Sequence, residues 1–286
     1  MQAIAKDIYI ENQYPGVTLG AINFPHGLLQ IDAPPSPEDG RAWRAALLNL
    51  GGSAERMLVN LDAHPDRTLG ARAMDCTIIA HEKTAQVFRS RPTTFKAQGD
   101  ETGADWESIP GLGNMRWSPP EITFSHQMMI HWGETPVLLE HHPGPAAGAV
   151  WVILSDAKVV FVGDAVLRNQ PPFLSAADLP VWIETLKLLL SPAYRNWMVV
   201  SGRGGVVSVD VIRTQLEYLN HILVRLEKLA NRKSPPEAIE NMVSPLLGAI
   251  KTPTRSQRRY AQRLRHGLYH YYIRHYRPST SVSGEE

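Results

Sequence analysis

Cysteine is almost missing: Cys76 stands alone in 286 residues. A single thiol excludes an intrachain disulfide framework and any multi-cysteine metal site. At the start of the apolar run 77–80, Cys76 reads as a small buried residue. No apolar run approaches the length that spans a bilayer, so no membrane partner is expected. Residues 1–10 carry Lys6 and Asp7 and lack an apolar centre, so the expectation is a chain without a secretory leader that resides in the cytoplasm. Charge imbalance is absent too: 29 basic residues oppose 28 acidic ones, and nothing global argues for nucleic acid or a membrane surface. What is present, 43% hydrophobic and 20% charged residues, describes an ordinary globular chain. It is long enough for one sizeable domain and an appendage.

The most informative stretch is Asn60-Leu61-Asp62-Ala63-His64-Pro65-Asp66-Arg67-Thr68-Leu69-Gly70. An apolar run over 57–60 ends there in ionisable side chains, and Thr68 and Gly70 read as opening a short helix. Alternate side chains on an extended segment share a face, so Asp62, His64 and Asp66 are expected to converge while Arg67 points elsewhere or follows the turn. Two carboxylates and an imidazole so spaced suit zinc, iron or manganese.

Around this stretch the chain alternates strand and helix signals. Strands are expected over 8–10, 17–23 and 28–31, separated by Tyr14-Pro15-Gly16 and Pro25-His26-Gly27. Ser36-Pro37 opens a helix that turns Trp43, Leu47, Leu48 and Leu50 toward a core and stops at Gly51-Gly52. A strand over 77–80 and a helix over 81–88, capped by His81, follow. Residues 90–120 lack periodicity and read as an irregular insertion over the site face. Strands are expected again over 122–124, 128–131, 137–140, 150–154 and 159–162, then a helix over 179–190 and a strand over 197–200. This order predicts an αββα sandwich.

Four motifs in order make the chain resemble the metallo-β-lactamase superfamily. The superfamily's His-x-His-x-Asp-His reads here as Asp62-x-His64-x-Asp66-Arg67. Its Pro-Gly-His-Thr-x-Gly loop reads as Pro143-Gly144-Pro145-Ala146-Ala147-Gly148. Its Gly-Asp dipeptide after an apolar strand is Gly163-Asp164, and its Gly-His-Gly is Gly202-Arg203-Gly204. The resemblance covers roughly 17–225 and implies a metallo-β-lactamase-like αββα domain over 1–230, whose third strand ends in an Asp, followed by a helical C-terminal extension over 231–286.

The resemblance also implies an altered site. The first metal's positions fall on Asp62, His64 and Pro145, the second's on Asp66, Arg67 and Arg203, with Asp164 shared. Proline offers no ligating side chain, and arginine stays protonated. Crowded carboxylates without a cation take up a proton, and two guanidiniums supply the missing positive charge. The favoured expectation is therefore no resident cofactor and a non-hydrolytic binding or scaffolding pseudoenzyme. Arg67, Arg203, Asp62 and Asp164 would then face a small anionic ligand or a protein partner. One alternative is a single zinc, iron or manganese ion held by Asp62, His64, Asp164 and His142 from the third loop, with His141 beside it. In that case Asp66 is the catalytic group of a hydrolase acting on an ester, thioester or lactone.

The C-terminal part carries a helical stripe over 210–229, a break at Ser234-Pro235-Pro236, and further helices over 237–250 and 256–276. Residues 251–277 hold eight Lys or Arg and no acidic residue, interleaved with Tyr260, Tyr269, Tyr271, Tyr272 and Tyr276. That pattern suits phosphate contacts and base stacking, which gives a third alternative, a nucleic-acid-binding module. The spacing of Tyr260, Leu264, Leu268 and Tyr272 and the balanced overall charge favour instead a helix packed on the main domain with its basic face in solvent. A homodimer is left open, and 278–286 is expected to be disordered.

Overall fold

The computed structural model describes residues 1–51, 55–96 and 101–277. The expectations for Gly52 and for the tail 278–286 lie outside the described residues. The first half runs β1 (Gln2–Ala5), β2 (Ile8–Glu11), β3 (Leu19–Phe24), β4 (Gly27–Ile31), α1 (Pro37–Leu48), β5 (Arg56–Val59), α2 (Pro65–Thr68), β6 (Thr77–His81) and α3 (Glu82–Ser90). A segment with the short pair β7 (Thr94–Phe95) and β8 (Met115–Arg116) leads to β9 (Ile122–Phe124). The second half runs β10 (Gln127–Ile130), β11 (Val137–His141), β12 (Val150–Leu154), β13 (Val159–Phe161), α4 (Leu179–Leu189), β14 (Met198–Ser201), β15 (Gly205–Val207) and α5 (Val209–Asn231). Two further helices, α6 (Glu240–Gly248) and α7 (Gln257–Tyr276), complete the chain. Strands β1 and β15 extend the sheets beyond what periodicity suggests, because both are short edge strands.

Each half builds one sheet. The first has the order β1-β2-β3-β4-β5-β6-β9, the second runs β10 to β15 in sequence order. Strands β4, β5, β6 and β9 are parallel, as are β13 and β14; the other pairs are antiparallel. Ile10, Leu29 and Val59 of the first sheet interleave with Leu139, Val152 and Phe161 of the second. Trp43 and Leu47 of α1 cover the outer face of the first sheet, together with Met74. Helices α4 to α7 cover the outer face of the second, where Trp182, Leu219, Leu246 and Leu268 meet Trp151 and Val160. The result is the αββα sandwich, each sheet burying one face on the other and one on helices.

Local chemistry explains the details near the site. Ser36 accepts the Asp39 N–H and Pro37 opens α1. Leu48, expected in the core, is 58% exposed, because it lies one position beyond the Trp43–Leu47 stripe. Helix α2 opens at Pro65, earlier than Thr68, with His64 as its cap: the imidazole Nδ1 accepts the Asp66 N–H at 3.2 Å. After α2 the chain passes Gly70 hard against the loop that leaves β4. A β-carbon there would lie 2.1 Å from the Pro34 carbonyl oxygen. Gly70→Ala should therefore cost about 2–3 kcal/mol, the scale of forced overpacking, in urea denaturation. A loss under about 0.5 kcal/mol would mean that the loop yields freely.

Candidate functional site

The loops that leave β5, β13 and β14 converge at one edge of the sandwich and deliver Asp62, His64, Asp66, Arg67, Asp164 and Arg203. The short helix α2 changes which side chains meet. Alternation expected Asp62, His64 and Asp66 to share a face and Arg67 to point away. Turning into a helix at Pro65 instead puts Arg67 in the centre, fully buried. Its Nη1 donates to Asp32 Oδ2 at 2.8 Å, its Nε lies 3.1 Å from Asp62 Oδ1, and its Nη2 donates to Asp164 Oδ1.

Arg203 forms the second hub. Its Nε donates to Asp164 Oδ1 at 3.0 Å, its Nη2 reaches Asp164 Oδ2 at 3.2 Å and faces His64 Nδ1 at 3.1 Å, and its Nη1 donates to Asp66. Asp66 also accepts the backbone N–H of Trp106 at 2.7 Å. Arg203 and Arg263 both lie over the Phe173 ring, at 4.5 and 3.9 Å from its centroid, and His64 packs on the same ring.

Three members of this network, Asp32, Asp105 and Arg263, had not been singled out for the site by sequence. Asp32, held at φ +59°, ends β4 and accepts both Arg67 and the Leu61 N–H. Asp105 comes from the irregular insertion and takes Arg263 Nη2 at 3.1 Å and Arg259 Nη2 at 2.8 Å. Arg263, buried on α7, also donates from Nε to the Gly103 carbonyl at 2.9 Å. A signal for it existed: it occupies an inward position of the helical stripe that holds Tyr260, Leu264 and Leu268, where an arginine demands a buried partner. Asp105 and Trp106, from the stretch read as an insertion, are thus part of the site's wall.

Burial and charge set the protonation pattern. Five carboxylates (Asp32, Asp62, Asp66, Asp105, Asp164) face Arg67, Arg203 and Arg263, with Arg259 at the rim, so the cluster is one proton from neutrality. Burial raises Asp32 to about 7 despite Arg67 beside it. Burial also raises Asp62 and Asp66, against the pull of Arg67 and Arg203 respectively. Asp164 goes the other way: burial alone would raise it, but Arg203 and Arg67 together hold it well below the usual carboxylate range. Burial, with Arg203 adding to it, keeps His64 neutral far below the ordinary imidazole value.

A family model described as the metallo-beta-lactamase superfamily matches residues 63–203, which span the four motifs except for Asp62 and Gly204 at their outer ends. Over that segment the chain matches the metallo-β-lactamase superfamily. Among solved structures it is similar to a metallo-β-lactamase from Pontibacter korlensis, at 18% identity and TM-score 0.60, over 77% of this chain and 97% of that one. It is also similar to the inverting sec-alkylsulfatase Pisa1 from Pseudomonas sp., at 15% identity and TM-score 0.65. That likeness takes in 99% of this chain, the C-terminal helices included, and 52% of the alkylsulfatase, so the chain spans about half of its length. At such identities the likeness is one of fold. No curated protein matches the chain.

The superfamily's metal centre does not fit the residues present here. Both oxygens of Asp164 accept guanidinium donors, Asp62 accepts the His64 N–H at 2.7 Å and pairs with Arg67, and the lone pair of His64 Nδ1 is taken by the Asp66 N–H. Among the described residues no group of three His, Cys, Asp or Glu side chains is arranged to hold a metal ion. His142, expected to assist from the third loop, turns elsewhere. It bonds Glu140 at 2.8 Å and stacks on Trp151 at 3.7 Å, because β11 continues through His141 and fixes its direction. His141 stacks on His81. Arg67 and Arg203, expected to face an anionic ligand, spend their donors on carboxylates inside the wall.

Over this wall lies a cavity of about 280 Å³ between Ala63, His64, Trp106, Pro145, Phe173 and Trp182. Two arginines line it, Arg91 and Arg263, together with Asp62 and Asp164, and Arg263 is already engaged by Asp105. Arg91 Nη2 donates to the Ala63 carbonyl at 2.8 Å, its guanidinium lies over the Trp117 ring at 4.4 Å, and Nη1 is buried with no hydrogen-bond partner among the described residues. Burial lowers Arg91 to about 10, so it remains charged at neutral pH.

The basic residues of the C-terminal segment are largely occupied. Arg263 and Arg259 serve Asp105, Arg265 pairs with Glu240 at 2.7 Å, and Arg274 and Arg277 donate to backbone carbonyls. Tyr260, Leu264, Leu268 and Tyr272 are buried on the main domain, as their spacing suggests. No helix among the described residues is long and apolar enough to cross a membrane.

Proposed function

We propose that this chain is a non-hydrolytic binding protein of the metallo-β-lactamase superfamily, in which an arginine–carboxylate network stands where a dinuclear centre would. The observation that carries this reading is the grip of both Arg67 and Arg203 on Asp164, at the position of the shared metal ligand. Hydrolysis in this family depends on a hydroxide made available by a metal. Two guanidiniums add charge and donors to the same space, yet neither lowers the pKa of a bound water as a divalent ion does.

The ligand this reading favours is a small carboxylate with an apolar body, bound in the cavity over the network. Its walls combine Trp106, Pro145, Phe173 and Trp182 with the ionisable edge of the network, its volume suits a small molecule, and Arg91 supplies one cation that no carboxylate pairs. A ligand carboxylate beside Arg91 would give that cation an anionic partner, which it lacks among the described residues.

The test has two arms on protein purified without chelator. Zinc, iron and manganese per chain should be near zero by plasma emission spectrometry, and a panel of esters, thioesters and lactones should remain intact. Aromatic and branched carboxylates should raise the melting temperature, an effect that Arg91→Met abolishes. Near one metal equivalent per chain, lost in His64→Ala, would overturn the reading in favour of a single-metal hydrolase. Failure of every carboxylate to stabilise the protein would remove the ligand class.

A further inference from the structure

A second and larger cleft, of about 1050 Å³, lies on the other side of the Arg203–Asp105 wall, between the turn after β2 and the start of α7. Six arginines line it; Arg203, Arg259 and Arg265 are paired with carboxylates, and the other three come from separate places in the fold: Arg168 from the loop after β13, Arg255 from the turn before α7, and Arg258 from the first turn of α7. All three are exposed, and none of their guanidiniums has a hydrogen-bond or ion-pair partner among the described residues. The acidic groups of the cleft do not balance them. Asp105 is held by Arg263 and Arg259. Glu107 accepts the Thr102 N–H at 2.7 Å and the Gly103 N–H at 2.9 Å.

Two features show that this positive charge is placed against local preference. The first turn of α7 holds Arg258 and Arg259 and no acidic residue, and Ser256 makes no side-chain cap. Cations at a helix N-terminus oppose the macrodipole, and an anion there reverses the penalty. Arg168 is also fixed in position: its N–H donates to the Arg203 carbonyl at 3.3 Å, and its side-chain stem packs on Gly204, where any β-carbon would meet Arg168 Cβ at 2.7 Å. An arginine anchored by its backbone and stem on one wall thus shares the cleft with two arginines and a helix start without a side-chain cap on the other.

We propose that this cleft binds a ligand bearing a diphosphate, with Arg168 on one side of it and Arg255 and Arg258 on the other. Three separated cations suit two linked phosphoryl groups better than one tetrahedral anion, and the volume leaves room for an organic moiety beside Tyr14. The site is distinct from the cavity that Arg91 lines.

The test is calorimetric titration of the full chain with inorganic pyrophosphate at low ionic strength, with sulfate and adenosine 5′-diphosphate as the other arms. Pyrophosphate should bind and sulfate should bind at least about tenfold more weakly. Arg168→Ala, Arg255→Ala and Arg258→Ala should each lose about tenfold, the worth of one charge-assisted hydrogen bond. These side chains are exposed and unpaired, so the variants should melt as the parent does. Arg265→Ala, which removes a cleft arginine already paired with Glu240, should bind within about twofold of the parent. The proposal is overturned by any of three results: no pyrophosphate binding at about 10 mM, an equal loss in Arg265→Ala, or sulfate binding as tightly as pyrophosphate. Tighter binding of adenosine 5′-diphosphate than of pyrophosphate would extend the site to the organic part of the ligand.

Discussion

Arg67→Ala is expected to cost about 3–5 kcal/mol of folding stability at pH 7, the scale of leaving buried charges without their partner. The reason lies in what the substitution strands. Asp32, Asp62 and Asp164 all face the guanidinium, and all are nearly or fully buried. Removing one cation leaves three carboxylates with only Arg203 in reach, and Arg203 already serves Asp66 and Asp105. The signature is in the pH dependence as well as the magnitude. Without Arg67 the folded pKa values of Asp32 and Asp62 lie further above their unfolded ones, and Asp164 loses part of the depression that the guanidinium gives it. A group so shifted contributes stability that is full below the unfolded pKa and is lost as pH rises through the folded one. The deficit of Arg67→Ala should therefore shrink toward pH 4 and be largest above neutrality. Urea denaturation at several pH values measures it. A loss under about 1 kcal/mol at pH 7 would mean that the network does not carry the structural load assigned to it.

Much of this arrangement is legible from sequence, and the part that is not has a physical cause. The four motifs place Asp62, His64, Asp66, Asp164 and Arg203 at one edge of the sandwich, and strand alternation with helix periodicity recovers the layers. Arg67 was placed by motif and misplaced by geometry: alternation assumes that the strand continues, whereas His64 caps a helix that begins at Pro65 and rotates the next side chains. Asp105 was hidden because it lies in a segment whose order comes from long-range bonds, Asp66 to the Trp106 N–H and Arg263 to the Gly103 carbonyl, rather than from local periodicity. Arg263 was absorbed into a tally of basic residues, although its helical position marks it as inward. His142 shows the reverse error. Its proximity in sequence to the third loop suggested recruitment, while the pairing of β11 with β12 up to His141–Val150 and the stack on Trp151 hold it aside.

Asp32→Asn should change the pH profile more than it changes stability at any one pH. Asp32 is raised by burial to about 7, well above its ordinary value near 3.8. Its contribution is therefore full below pH 4 and is lost as pH rises through 7, a difference of up to about 4 kcal/mol for one carboxyl. Two neighbours run against it. Asp164, held low by Arg203 and Arg67, contributes stability that is present above its ordinary pKa and lost only in strong acid. His64, kept neutral by burial, contributes stability that is present above its ordinary value and lost as pH falls through its folded one. The parent's profile between pH 4 and 8 is thus a sum of opposing slopes, and only a difference isolates Asp32. Asparagine tolerates the left-handed backbone at this position and keeps one acceptor for either the Leu61 N–H or Arg67. The acceptor it lacks adds a roughly constant cost. Stability of Asp32→Asn relative to the parent should then rise steadily from pH 4.5 to pH 8. A flat difference, within about 1 kcal/mol across that range, would place the network's extra proton on Asp62 or Asp66. Those are the other two carboxyls that burial raises, and each has its own asparagine variant to decide between them.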